Sequence, residues 1–506
     1  MTDFQAFNAT SHPIVRLEDD WNNLLDHGLA KPCKYLVRVN GSYIEAVNGL
    51  TGKISYGGAN NVGAVDGTNP HDVIEAALDG LTAGRTYPET VICMGNMELD
   101  DHVDINSYTE LKLIGHYTMT AATDTNFFMN KDTVGGNTHI YIDGLGAFLD
   151  GTGQTATSVG AYFDNVTASQ MRNIWAANFI NDGISINNSQ DIEITNPYCT
   201  DNGFRGIYLY TSTKCHIIGG TVKANVDGLV IDETSLYNEV IGLNSEANAT
   251  GAGIGIDHSS AYNDILGCTS YGNANGLEIL TSSYNRVIGG HYFTNVDSGI
   301  VIGGTTPSGN IVEGTHCMNN SQGVGVYDAG IAVATGNRNV LKNNVCTDTG
   351  ATQLYGIRQA GGDYLIVGGN DCYGNVTAPY LFTGANNIYE FNVNSGMPID
   401  LSGAADARFV LHTEVPLWLC RATILYTEAT SVNAGITLKI GKEVDDDYYY
   451  IGASANGGGG RAQYYSETVN LLANDVGLGD TVAFSSAGGK VGIGEVQLIL
   501  DYLSGC

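Results

Sequence analysis

The sequence predicts an all-β protein built mainly as a parallel β-helix, and three observations carry that prediction. A Gly-aliphatic-x-aliphatic run recurs at intervals close to one solenoid coil. Further columns of residues keep the same register. Each run alternates with period two, the side-chain period of a strand. The run Gly183-Ile184-Ser185-Ile186 returns as Gly206-Ile207-Tyr208-Leu209, Gly228-Leu229-Val230-Ile231, Gly253-Ile254-Gly255-Ile256 and Gly276-Leu277-Glu278-Ile279. It continues as Gly299-Ile300-Val301-Ile302, Gly330-Ile331-Ala332-Val333 and, less regularly, from Gly356-Ile357. Subtracting successive glycine numbers gives steps of 23, 22, 25, 23, 23, 31 and 26 residues. A unit that short cannot bury its own apolar face, so it must stack on copies of itself.

The other columns fix how the coils stack. An aliphatic column runs through Ile194, Ile217, Val240, Ile265, Val287, Val312, Leu341 and Val367. Five residues on, a second reads Cys199, Val222, Ser245, Ser270, Tyr292, Cys317, Cys346 and Cys372. Three residues further lie Asn202, Asn225, Asn248, Asn273, Asn295, Asn320, Thr349 and Asn375, which predict a side-chain amide ladder along the axis. Asn238, Asn263, Asn285, Asn310 and Asn339 predict a second ladder. Gly, Asn, Asp and Thr between the runs supply the turns.

Composition narrows the partners. The 506 residues carry 22 Lys and Arg against 53 Asp and Glu, a net charge of −31. Such a surface repels nucleic acid and anionic membrane, and no stretch reaches the roughly 20 apolar residues of a membrane span. The start Met1-Thr2-Asp3-Phe4-Gln5 has neither the basic nor the apolar region of a secretory leader. A virion component released by lysis would need none. The 10 cysteines include no CxxC pair. Cys317, Cys346 and Cys372 fall in one inward column, where thiols serve as small hydrophobes, and Cys506 is the candidate exposed thiol.

Three domains are expected. Residues 1–62 form a small N-terminal α/β attachment module, with a helix opening at Leu17 and a hairpin turning at Asn40-Gly41. Residues 63–395 form the β-helix, entered through a capping helix. That helix starts at Asn69-Pro70, buries Val73, Ile74, Ala77, Leu78 and Leu81, and ends near Gly84. Thr90 to Met94 and Leu111 to Ile114 are its first strands. Residues 396–506 lose the coil period and alternate as short strands between turns, which predicts a β-sandwich.

Asp66-Gly67-Thr68, the helix through Glu75-Ala76-Ala77-Leu78-Asp79, Thr90-Val91-Ile92 and Glu110-Leu111-Lys112-Leu113-Ile114-Gly115 resemble the opening of pectate-lyase-superfamily right-handed parallel β-helices. That opening is widespread in viral tail spikes and in polysaccharide lyases and glycosidases. The resemblance covers roughly residues 64 to 390. It implies the fold and a tail-spike-like or polysaccharide-acting role, and, because tail-spike-like proteins commonly end in such a module, a C-terminal β-sandwich at 396–506 that trimerises or binds sugar. Met94-Gly95-Asn96-Met97 stands where such openings often carry Pro-Gly-Thr-Tyr, so no catalytic residue is carried over. With the three-part layout, the expectation is a homotrimeric virion appendage. It would recognise a cell-surface glycan and dock onto other virion proteins through its N-terminal module. The alternatives are a polysaccharide lyase or glycosidase on the same scaffold, and a cellular surface or filament protein.

Outward positions of the repeated run locate the candidate site. One column reads Ser185, Tyr208, Val230, Gly255, Glu278 and Val301; the next reads Asn187, Tyr210, Asp232, Asp257, Leu280 and Gly303. Asp232 and Asp257 are expected on adjacent coils, with Glu278 one coil on, Glu233 and His258 beside them, and Tyr208 and Tyr210 below. Tyrosine rings cover apolar sugar faces and carboxylates accept hydroxyl hydrogen bonds. The acids also fit a catalytic pair, a Ca²⁺ site for a lyase, or solvated surface. Two weaker metal candidates are His291 with His316, outward on adjacent coils and otherwise chance surface neighbours, and Asp445-Asp446-Asp447, which reads first as a charged turn. No bound cofactor is otherwise expected.

Overall fold

Each coil lays down three short strands, and each strand pairs in parallel with its counterpart one coil away. This computed structural model describes residues 33–120, 125–155, 157–248, 250–323, 325, 327–384 and 387–390. Beyond these it describes the backbone of strands between Pro398 and Ser504. The helix expected at Leu17 and the thiol of Cys506 lie outside the described residues. The first coil contributes Glu89–Met94 to sheet 1, Met97–Leu99 to sheet 2 and Val103–Ile105 to sheet 3. About thirteen such coils follow one another. Parallel strands joined by crossovers are right-handed in nearly all proteins, and the fold is a right-handed parallel β-helix.

The register is that of the repeats. In sheet 3, Ile184, Ile207, Leu229, Ile254, Leu277, Ile300, Ile331 and Ile357 are successive partners. In sheet 1 the column from Ile194 to Val367 pairs rung by rung. Sheet 2 stacks Cys199 through Cys346. All these side chains point inward, and one continuous apolar core runs from Tyr35 to Phe382. The eight described cysteines are free and buried, with burial pushing the Cys199 and Cys346 thiols well up.

The glycine and asparagine columns explain one another. Asn202 donates to Asn225 at 3.0 Å, Asn225 to Asn248 at 3.2 Å and Asn248 to Asn273 at 2.9 Å, each from Nδ2 to Oδ1. This ladder lies against the glycine of the repeated run. A Cβ on Gly183 would stand 2.9 Å from Asn202 Nδ2 and 2.8 Å from the Gly206 carbonyl oxygen. The glycine is needed for close approach rather than for an unusual φ. The ladder continues past Asn320 through Gln353, whose Oε1 accepts at 3.1 Å, and not through the expected Thr349. Asn320 follows Cys317 by three residues but Gln353 follows Cys346 by seven, and Thr349 lies exposed on that longer stretch, its N–H donating to Asn319. The second ladder, Asn238 to Asn339, forms as expected.

The N-terminal end is capped as the sequence suggests. Helix α1, Pro70–Asp79, has Asn69 at its N-cap accepting from the His71 N–H at 3.0 Å, and it buries Val73, Ile74, Ala77 and Leu78. It ends at Gly80, four residues earlier than expected, with Leu81 packing in the following turn. The hairpin Tyr35–Asn40 and Tyr43–Asn48 turns at Gly41 as predicted. Its first strand pairs in parallel with Glu89–Met94, so the hairpin extends sheet 1. It does so because Tyr35 and Val37 join the same core as Val91 and Cys93.

Past the coils, pairing becomes antiparallel. Ala407–His412 and Thr437–Lys442 both pair with Thr481–Ala487. Leu417–Tyr426 pairs with Tyr465–Asn470 and Glu495–Ser504. The packing of these two sets lies with side chains outside the described residues.

Candidate functional site

Sheet 3 positions the candidate residues. Ile231 pairs with Ile256, which sets Asp232 and Asp257 on adjacent rungs, and Gly255 pairs with Glu278. Strand rungs lie about 4.8 Å apart. The strands end in left-handed turns at Glu233 (φ 48°) and Thr234, and at His258 (φ 47°) and Ser259. Asp232 stabilises the first of these by accepting the Glu233 N–H at 2.9 Å.

Of the acids here Glu233 is exposed, Asp232 is buried, and Asp257 and Glu278 are half-buried. Asp232 is 7% exposed. It accepts from Tyr208 Oη at 3.0 Å and lies 2.6 Å from His258 Nδ1, which reaches down one rung. That hydrogen bond, and the charge behind it, raises the His258 pKa. Asp257 Oδ1 is buried and has no hydrogen-bond partner. Burial, then the charges of Glu278 and Asp232, push its pKa from 3.8 up to about 7, against the opposing effect of His258. Burial also raises Glu278, which accepts from Asn275 Nδ2 at 2.6 Å. Burial raises the Tyr208 hydroxyl well above its usual range. Tyr210 lies beside Tyr208, ring centroids 5.7 Å apart.

The structure adds a residue that the outward columns do not include. Arg205 lies between the rings of Phe204 and Tyr208, 3.8 and 3.7 Å from their centroids, and 3.7 Å from Asp182. Its Nε is buried without a hydrogen-bond partner. Burial raises Asp182 to about 6 despite the guanidinium. The signal for this column was present in the sequence, since Asp182, Arg205 and Asp227 each precede the glycine of a repeat. Farther along the axis, Tyr327 and Tyr355 pack over Val301, Ala329 and Ala332 and bound the face.

The weaker metal candidates stay apart from this face. His291 and His316 are neighbours on sheet 2, ring centroids 5.1 Å apart. Among the described residues, no three His, Cys, Asp or Glu side chains converge as a metal site. Asp445, Asp446 and Asp447 open the strand Asp445–Ala453 rather than forming a turn, and their side chains are outside the described residues.

A family model named NosD, described as a periplasmic copper-binding protein, matches residues 137–313. No curated protein matches the sequence. Among solved structures, the A-module of the mannuronan C-5 epimerase AlgE4 from Azotobacter vinelandii is similar at 12% identity and TM-score 0.48, covering 64% of this chain and 90% of that one. The N-terminal fragment of bacteriophage phi29 gene product 12 aligns at 13% identity and TM-score 0.47, covering 67% and 68%. The ORF18 protein of Geobacillus virus E2 aligns at 16% identity and TM-score 0.46, covering 62% of each chain. Copper does not fit the donors of the matched stretch. Cys199, Cys215 and Cys268 are core thiols. His139 precedes a strand of sheet 1 and stacks on Tyr108, His216 and His291 stand on sheets 1 and 2, and His258 follows a strand of sheet 3.

Proposed function

We propose that the outer face of sheet 3 from Tyr208 to Glu278 binds a glycan, and that the protein is a tail-spike-like surface appendage recognising a cell-surface polysaccharide. The observation that carries this reading is Asp257 Oδ1, a buried carboxyl oxygen with no partner, one rung above Asp232, which accepts from the Tyr208 hydroxyl. A buried polar atom left unpaired costs about 1–3 kcal/mol, and a sugar hydroxyl is a donor of the right kind. Glu233, Asp232, His258 and Glu278 supply further polar contacts around it. Residues 1–62 would then join the protein to other virion components.

The test is binding of a panel of surface polysaccharide fragments by calorimetry. Tyr208→Ala and Asp257→Asn should each weaken binding at least tenfold, and Glu313→Gln on sheet 1 should leave it unchanged. Equal affinities across all three variants would refute the assignment.

One observation favours catalysis as a second reading. Asp257 holds a proton near neutral pH, whereas Asp232 acts as an acceptor from Tyr208 and Glu233. Neighbouring carboxyls with divided roles are an acid and base pair, and a separation near ~5 Å suits a retaining glycosidase. Release of reducing ends that vanishes in both Asp232→Asn and Asp257→Asn would establish this reading. Activity surviving in both variants would sink it.

A further inference from the structure

The outer face of sheet 1 carries one aliphatic side chain on each of eight consecutive rungs. Ile218, Ile241, Leu266 and Ile288 make the first half in one column. On the next rung that column passes to Glu313, and the aliphatic position moves two residues upstream to Ile311, Val340, Ile366 and Ile388. Ile218 and Ile241 are each 37% exposed, and the other six are part-exposed. Along one margin stand Tyr237, Tyr262 and Tyr284, all exposed and stacked at 5.3 and 5.4 Å. Nothing in the glycan-binding reading uses this stripe.

We infer that the stripe is a self-association surface on which a second copy of this chain packs, sheet against sheet. Three features select that occupant. The first is spacing. Apolar ridges about 4.8 Å apart interdigitate without drift only against a surface with the same rise, and another copy has it. The second is charge. In a chain of net charge −31, this face carries partners for its acids: Arg286 lies 3.4 Å from Asp264, and His216 Nδ1 lies 3.1 Å from Glu239. Lys342 sits one rung above Glu313. Two copies can therefore approach here without the repulsion they meet elsewhere. The third is size. Eight rungs span about 34 Å, and the stacked tyrosine margin widens the stripe over three of them.

Sedimentation of the full chain between about 1 and 100 μM tests the inference. The parent should sediment as an oligomer. The double variant Ile241→Lys, Ile311→Lys should dissociate at least tenfold more readily, with its circular dichroism unchanged. A parent that stays monomeric at 100 μM, or a double variant that associates like the parent, would overturn it. Should the double variant fail to fold, Leu266→Cys with a short bismaleimide gives a second measurement. A cross-linked dimer absent from the parent supports the surface, and its absence refutes it.

Discussion

Asp257→Asn offers the most direct test of the candidate site, because its effect must depend on pH in a set direction. The folded chain holds the Asp257 proton up to about pH 7, whereas the unfolded chain releases it near its ordinary value of 3.8. Between those values the folded state binds more protons, so stability falls as pH rises, by about 1.4 kcal/mol per unit. The full window of about 3 units is an upper bound of ~4 kcal/mol, and water entry around the ionised group brings it to ~2–3 kcal/mol. An asparagine cannot ionise and escapes the penalty. For the roughly 360 residues of the coiled part, an unfolding entropy of about 2.1 cal/mol/K per residue converts ~3 kcal/mol into ~4 °C. The variant should therefore melt with its parent at pH 4 and about 4 °C above it at pH 8, measured by circular dichroism. A difference that stays flat from pH 4 to pH 8, or a variant less stable at pH 8, would refute the account of burial and like charge at this site.

Other consequences of the fold are equally specific. Asn273→Ala removes the acceptor of Asn248 and the donor to Ser245 and Asn295; with buried groups orphaned on both sides, denaturant titration should show a loss of about 3–5 kcal/mol. Gly253→Ala places a methyl 2.1 Å from Ser270 Oγ and 2.7 Å from Asn273 Nδ2, and should cost about 3 kcal/mol or more. Gly267→Ala meets nothing within 4 Å at φ +60°, and should cost only the ~1–2 kcal/mol of left-handed strain. Similar losses at the two glycines would contradict the close-approach argument. Tyr208→Phe deletes the hydroxyl that donates to Asp232; glycan affinity should fall several-fold in calorimetry while the melting temperature moves little.

The coil register was legible because it is written as repetition. Ile207, Leu229 and Ile254 stack because each recurs one coil on, and the asparagine ladders follow from the same arithmetic. The arithmetic fails where the period breaks. Four extra residues between Cys346 and the next ladder position moved the ladder from Thr349 to Gln353, and an amide of matching reach proved decisive rather than a matching interval. Capping helix α1 was legible from Asn69-Pro70, but its end was not. Gly80 terminates it before Gly84 because Leu81 packs outside the helix. The hairpin at Gly41 was legible as local structure, but its place as an extension of sheet 1 was not. Its pairing with Glu89–Met94 is a contact between segments some fifty residues apart, which no turn signal encodes.

At the candidate site the division is the same. The sequence alone placed Asp232 beside Asp257 and Tyr208 below them, since adjacency along a solenoid axis follows from residue spacing. It also determined the net charge, and with it the partners that such a surface repels. Only the tertiary structure decided that Asp232 is buried and Asp257 half-buried, that His258 reaches back to Asp232, and that Arg205 lies between two aromatic rings. The reason is geometric. Period fixes which backbone positions stack, but the dielectric around a carboxyl depends on side chains arriving from neighbouring rungs and inserted loops, and those carry no period.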